Sequence, residues 1–358
     1  MSSPSFSSLP KEVHLEIGNF LRPSEMAGII VASKSMRKGY AASFFHDVSF
    51  RGTQGDLVGE LAAFLVANKT QATTRDVVVP AIKYITIEIE PDVPSPVLEI
   101  GLILPRLISS CFRVMKNLQG IQLDFWWLTD FQKDELCDRC AGLPVWNSLR
   151  SINMENEADP ELLAILVSKT RPESFTGLQF GGQTELQAAR QCSPFLQRLV
   201  VPFKLPASTD VVGHSRFVSN RTSLLTQFGR LEWLVLTPTH VKPLSIDTIR
   251  EDPKVLLNVL VKELSKLPYL KRLGLTFPSL ILAEHQPGVP GTGVGLPAVE
   301  HYVRQWNEQI FAGIPALQQV AFTHGDIVLR AVREADATIR FSIESDLDRH
   351  AFPFGTLY

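Results

Sequence analysis

Residues 118–123 read LQGIQL and residues 270–275 read LKRLGL. Both have the form apolar-x-x-apolar-x-apolar, and that phrase recurs along most of the chain. Its copies are Phe45/Val48/Phe50, Ile82/Ile85/Ile87, Leu118/Ile121/Leu123, Leu149/Ile152/Met154, Phe175/Leu178/Phe180, Leu196/Leu199/Val201, Leu231/Leu234/Leu236, Leu270/Leu273/Leu275 and Leu317/Val320/Phe322. Nine matched copies are hard to attribute to chance, and self-similarity of this kind marks stacked repeats. The last three positions of the phrase alternate apolar, x, apolar, which is the period of a strand with one buried face. Helical patterns lie between copies at 56–67, 161–169, 254–267 and 298–311, so each unit reads strand then helix. Units of that kind stack with their strands parallel and in chain order. The expectation is one open sheet of about nine or ten such strands, ending in an off-register strand at Ile339/Phe341/Ile343.

The pattern resembles the leucine-rich-repeat family from residue 45 to the C-terminus. That resemblance implies an α/β solenoid, LRR-like and irregular, with parallel strands on the concave side and helices on the convex side. The chain departs from the family pattern in two ways. Successive copies lie from 21 to 47 residues apart, and the Asn that follows the strand in ordinary repeats is absent. Insertions in a solenoid fall in loops on one rim, where binding often happens. The clearest is 284–297, EHQPGVPGTGVGLP, whose Gly and Pro content predicts a mobile loop.

Ahead of the repeats, residues 9–50 read LPKEVHLEIGNFLRPSEMAGIIVASKSMRKGYAASFFHDVSF. Pro10 fits a first helical turn, and Val13, Ile17, Phe20 and Leu21 then recur on one face. Pro23 interrupts, Ser24 is the expected N-cap of a second helix carrying Met26, Ile29 and Ile30, and a third helix carries Met36, Tyr40 and Phe44. Three helices this short cannot enclose a self-sufficient core, so other surface must cover their apolar faces.

The order Leu9-Pro10, Glu12-Val13, Ile17, Leu21, a short break, Ile30-Val31, Ser33-Lys34 and Met36 resembles the F-box, particularly its form in filamentous-fungal proteins. The resemblance covers about 42 residues and divides the chain into an F-box at 1–44 and a solenoid at 45–358. It implies a three-helix module that inserts apolar side chains into a Skp-family adaptor, which hangs on a cullin. Carried over residue by residue, the adaptor contacts come from Leu9, Pro10, Ile17, Leu21, Ile30, Val31 and Met36. Met36 stands where many members have Trp or Phe.

Charge and composition narrow the remaining classes. The 35 Lys and Arg against 37 Asp and Glu give a formal charge of −2, which offers no long-range positive field for nucleic acid. Four cysteines in 358 residues make no disulfide framework. The start of the chain carries no signal-peptide pattern, and its most apolar stretch, 97–111, falls short of the roughly 18 residues that span a bilayer. A reducing compartment, cytoplasm or nucleus, with no membrane partner is expected. Cys137-Asp-Arg-Cys140 has C-x-x-C spacing but lacks the second pair that a zinc site needs. GVPGTGVG at 288–295 is not followed by the Lys-Ser/Thr of a P-loop. No nucleophile-elbow motif or paired-carboxylate setting stands out, so neither a cofactor nor a catalytic residue is expected.

What remains is binding. Side chains that alternate with the buried ones should face into the concave sheet, and the client-binding candidates are Tyr84, Glu88, Gln122, Asp124, Trp126, Asn153, Glu155, Gln179, Trp233 and Arg272. Glu88, Asp124 and Glu155 are expected to form a row of like charges about 5 Å apart per step, suited to a basic client segment. The reading that follows is the substrate-receptor subunit of an SCF-type ubiquitin ligase, holding a client of unknown identity. Two alternatives stay open: an F-box protein paired with the adaptor outside a ligase, and an irregular α/β enzyme with a deep polar pocket at the strand ends.

Overall fold

The computed structural model describes residues 9–21, 23–91, 101–155, 159–176, 196–203, 225–226, 228–238, 253–276, 296–324, 327–344 and 352–353. The chain divides into two compact units, Met1–Thr170 and Arg171–Tyr358.

The first unit opens with α1 (Lys11–Phe20), α2 (Pro23–Ala32) and α3 (Lys34–Phe44). Pro10 sits at the N-cap of α1, one residue ahead of the first helical turn. Pro23 is the first residue of α2 and Ser24 lies within the helix, so Ser24 is not the cap; a proline at N1 loses no helical hydrogen bond and has its φ preset. Ser33 caps α3, its Oγ accepting from the Met36 N–H at 3.1 Å. The face of α1 also differs from the periodicity. A Cβ on Gly18 would stand 2.6 Å from Ser43 Oγ, and one on Gly39 would stand 3.2 Å from the His14 ring. These two glycines let α1 and α3 approach closely, which turns His14 and Gly18 inward and leaves Val13 and Phe20 outside.

The repeats of this unit follow as β1 (Asp47–Gly52), α4 (Gln54–Thr70), a π-helical turn at Thr74–Val78 that runs into α5 (Val79–Ala81), β2 (Tyr84–Ile89), α6 (Ile103–Val114), β3 (Gly120–Asp124), α7 (Asp130–Ala141), β4 (Ser151–Glu155) and α8 (Pro160–Thr170). Strands β1 to β4 pair in parallel and in chain order, and equal positions of the phrase stand opposite one another. Val48 faces Ile85, Ile85 faces Ile121, and Ile121 faces Ile152. Phrase residues are buried and their alternates are half-exposed along β2. The rings of Phe50 on β1 and Phe64 on α4 meet at 5.8 Å, so the phrase points toward the helices. Helices α4, α6, α7 and α8 pack each on the next.

A recurring hydrogen-bond device holds this register. In the first three phrases the carbonyl at the second position accepts two N–H groups from the next copy. His46 O receives Lys83 and Tyr84 at 2.9 and 3.0 Å, Lys83 O receives Gln119 and Gly120 at 2.6 and 3.1 Å, and Gln119 O receives Arg150 and Ser151 at 2.7 and 3.0 Å.

The second unit contains β5 (Ser174–Thr176), β6 (Arg198–Phe203), β7 (Trp233–Pro238), α9 (Pro253–Leu264), β8 (Arg272–Thr276), α10 (Leu296–Gly313), β9 (Gln319–His324), β10 (Ile327–Arg333) and β11 (Ile339–Glu344). Strands β5 to β9 continue the parallel, in-order pairing, with Leu199, Leu234, Leu273 and Val320 aligned. The double-acceptor device recurs at Glu173, Gln197, Glu232 and Lys271.

The structure departs from the sequence pattern in three further places. Phe175 pairs with Leu199, so the fifth copy starts three residues earlier than the pattern suggested. The Glu173 carbonyl occupies the device's position, which makes buried Pro172 the first phrase residue; Leu178 and Phe180 lie outside the described residues. Second, the parallel order ends at β9. Strand β10 runs antiparallel to β9, and β11, the expected strand at Ile339/Phe341/Ile343, runs antiparallel to β10. The short connections at 325–326 and 334–338 leave no room for a crossover helix, which parallel pairing needs. Third, Leu296 and Pro297 of the expected insertion belong to α10; 284–295 lies outside the described residues.

Within this hairpin Arg330 donates to both Glu344 carboxylate oxygens, at 2.8 and 2.7 Å. That contact holds the Glu344 carboxyl below its ordinary value of 4.5. A carboxylate with a depressed folded pKa stabilises the fold above its unfolded pKa and loses that contribution as pH falls through the lower folded value. Glu344→Gln is therefore expected to lower the urea midpoint at pH 7 slightly, since the pair is partly screened by solvent, and to leave it unchanged well below pH 4. Equal differences at both pH values would contradict the assignment.

Candidate functional site

The N-terminal helices build a small interior of their own. Met26, Ile30 and Tyr40 are buried together, with Ile17, Leu21, Ile29, Met36, Phe44 and Phe45 packed against them. His14 meets the Tyr40 ring edge-on at 5.1 Å, and burial raises the Tyr40 phenol above its ordinary pKa. Arg37 Nε donates to the Ile30 carbonyl at 3.2 Å and ties the end of α2 to α3.

The expected adaptor contacts divide into two sets. Ile17, Leu21, Ile30 and Met36 belong to that interior, and Ile30 is only 7% exposed. Leu9 is half-buried, while Pro10 and Val31 point to solvent, Val31 at 69%. Phe20, at 84%, and Val13, at 38%, join them. Neither was among the expected contacts. Their outward position follows from the Gly18–Gly39 approach, which an apolar pattern does not report.

On the sheet of the first unit the residues that alternate with the phrase, client candidates among them, fall into register rows. Thr86, Gln122 and Asn153 form one; Glu88, Asp124 and Glu155 form the next. The expected row of like charges is present in the register, and it is relieved at its first member. Arg51 of β1 heads that row, its guanidinium 3.2 Å from the Glu88 carboxylate, and Asp124 Oδ1 accepts the Trp126 N–H at 3.2 Å. Tyr84 is half-buried with its ring 5.0 Å from His46.

Just past β3, Trp126 and Trp127 are exposed, as is Phe131 on α7. A buried glutamine pair braces their loop. Gln54 Nε2 donates to the Trp127 carbonyl at 2.8 Å, and Gln132 Nε2 donates to Gln54 Oε1 at 2.8 Å and to the Gly101 carbonyl at 2.9 Å. Gln132 also completes the capping box of α7 with Thr129. The aromatic side chains thus stand on a rigid support, the property that suits an anchor for a bound protein.

In the second unit Trp233 lies between two guanidinium groups, Arg198 at 4.8 Å and Arg272 at 4.9 Å from the ring centroid. Arg272 is held below its ordinary pKa by burial first, then by neighbouring Arg198 and Arg330. Trp233 is not an open concave side chain as expected, because the Phe352 ring packs on it at 5.2 Å. Gln179 lies outside the described residues.

Cys137 and Cys140 are buried, and burial pushes both thiols up to about 12. Among the described residues no group of three or more His, Cys, Asp or Glu comes together to hold a metal, and no helix is long and apolar enough to cross a membrane.

No protein-family model and no curated protein matches this chain.

Proposed function

We propose that the chain is the substrate-receptor subunit of an SCF-type ubiquitin ligase. Helices α1 to α3 act as an F-box that docks a Skp-family adaptor and, through it, a cullin. The strand–helix units act as an irregular leucine-rich-repeat-like solenoid that holds a client protein. The chain binds and positions; transfer chemistry belongs to other subunits.

One observation carries this reading. The interior of the three-helix module is filled by Met26, Ile30 and Tyr40, yet Val13, Phe20 and Val31 remain outside it in water. Covering a Val or Phe side chain is worth about 1.5–3 kcal/mol each, and an apolar partner surface recovers that free energy. The order of residues from Leu9 to Met36, which resembles the F-box, supplies the identity of the partner. For the client we propose the first unit's sheet face, with Tyr84, Glu88, Gln122, Asp124 and Asn153, and the braced Trp126 at its rim.

Affinity capture of the full chain from an intracellular extract tests the assignment. Recovery of a Skp-family adaptor together with a cullin is the expected result. An adaptor without a cullin would favour the role outside a ligase, and recovery of neither would overturn the reading.

A further inference from the structure

The fifth position of the phrase distinguishes the two units. In the first it holds Ser49, Thr86, Gln122 and Asn153; in the second it holds Thr176 on β5 and then Val200, Val235, Gly274 and Ala321 from β6 to β9. This position faces away from the phrase residues. In the second unit Val200, Val235 and Ala321 are buried, together with Val328 and Phe352. The face away from the phrase is thus partly covered, with Arg198, Trp233 and Arg272 of the third position on that same face, and the cover includes Phe352 and Pro353.

The contacts of that pair are those by which a groove reads a peptide. The Phe352 ring is 3% exposed and packs on Trp233. Pro353 fills the space left by Gly274, where a Cβ would stand 3.0 Å from Pro353 Cβ. The Phe352 carbonyl accepts from Arg330 Nη2 at 2.8 Å, and Arg330 is itself fixed by Glu344. An aromatic anchor, a proline slot and a preset donor to a backbone carbonyl make a compact recognition element that depends on two side chains of the bound segment.

We propose that this face of the second unit is a peptide-binding groove for an aromatic–proline pair, and that Phe352–Pro353 is its resident occupant in cis. Resting on the receptor reading above, a client segment that presents the same pair enters by displacing the chain's own. A covalently linked occupant acts at an effective concentration on the order of millimolar, so it suppresses a competing segment until that segment arrives in excess.

The test uses the full chain and a labelled synthetic peptide, RHAFPFGT, corresponding to residues 349–356, read by fluorescence anisotropy. The Phe352→Ala chain is expected to bind the peptide at least about 10-fold more tightly than the unmodified chain, and adding Trp233→Leu should remove that gain. Pro353→Gly keeps the buried ring and is expected to give a smaller gain, which keeps the idea testable if Phe352→Ala fails to fold. Equal binding by all folded variants, or none by any, would overturn the proposal and leave Phe352 as structural cover only. Adaptor capture is independent of this result, so a failure here is distinguishable from a failure of the receptor reading.

Discussion

Replacing Phe20 and Val31 together with Asp is expected to weaken binding of a Skp-family adaptor by about 100-fold or more, with little change in thermal stability. Phe20 and Val31 are the most exposed large apolar residues of the three helices, and they lie apart from the cluster formed by Met26, Ile30 and Tyr40. A charge there leaves the fold alone, because surface substitutions usually stay within about 0.5 kcal/mol. In a docked complex each would be a buried unpaired carboxylate, and loss of two apolar anchors of hot-spot size gives the stated factor. The contrast is Ile30→Asp, which should unfold the module and so lose the adaptor for a different reason. Unchanged adaptor affinity in a folded Phe20/Val31 variant would remove the docking face from α1 and α2.

The second large effect is on stability. Ile121 is fully buried on β3, aligned with Ile85 on one side and Ile152 on the other. Ile121→Ala removes side-chain volume where two neighbouring strands and the helices limit collapse, and is expected to cost about 2–5 kcal/mol in a denaturant titration. Gln122→Ala, one residue along and half-exposed, should cost less than about 0.5 kcal/mol. A comparable loss at both positions would contradict the assignment of faces.

Much of the sheet was legible in the sequence because parallel neighbours place equal positions of the repeat side by side. A phrase such as that at Leu118, Ile121 and Leu123 therefore announces both a strand and its register. The reading slipped at Phe175, where Pro172-Glu-Ser-Phe175 satisfies the first half of the phrase as well as Phe175 and Leu178 do. The pairing of Phe175 with Leu199 and the double-acceptor carbonyl at Glu173 separate the two. It failed at the C-terminal end for a different reason. Strands β10 and β11 are antiparallel, joined by short turns, and carry no phrase for the repeat to match.

The candidate sites were legible in part. The order from Leu9 to Met36 marked the module, but the rotation of α1 depends on Gly18 and Gly39, which contribute through absence of a side chain. Trp126 was expected directly after the third strand, beside the acidic row, and it lies just past β3, exposed. The pairing of Glu88 with Arg51 was hidden because the partner lies on the preceding strand outside the row considered. Likewise, the change from polar residues at Thr86 and Gln122 to apolar ones at Val200 and Val235 is visible in the sequence, yet nothing local names Phe352 as the cover of that face.

The most direct test of the receptor reading is a binding titration of the purified full chain against a purified Skp-family adaptor. A one-to-one complex that survives in the Glu88/Asp124/Glu155 to Gln/Asn/Gln variant and is lost in the Phe20/Val31 to Asp variant is the predicted result. No measurable binding by the folded, unmodified chain would contradict it.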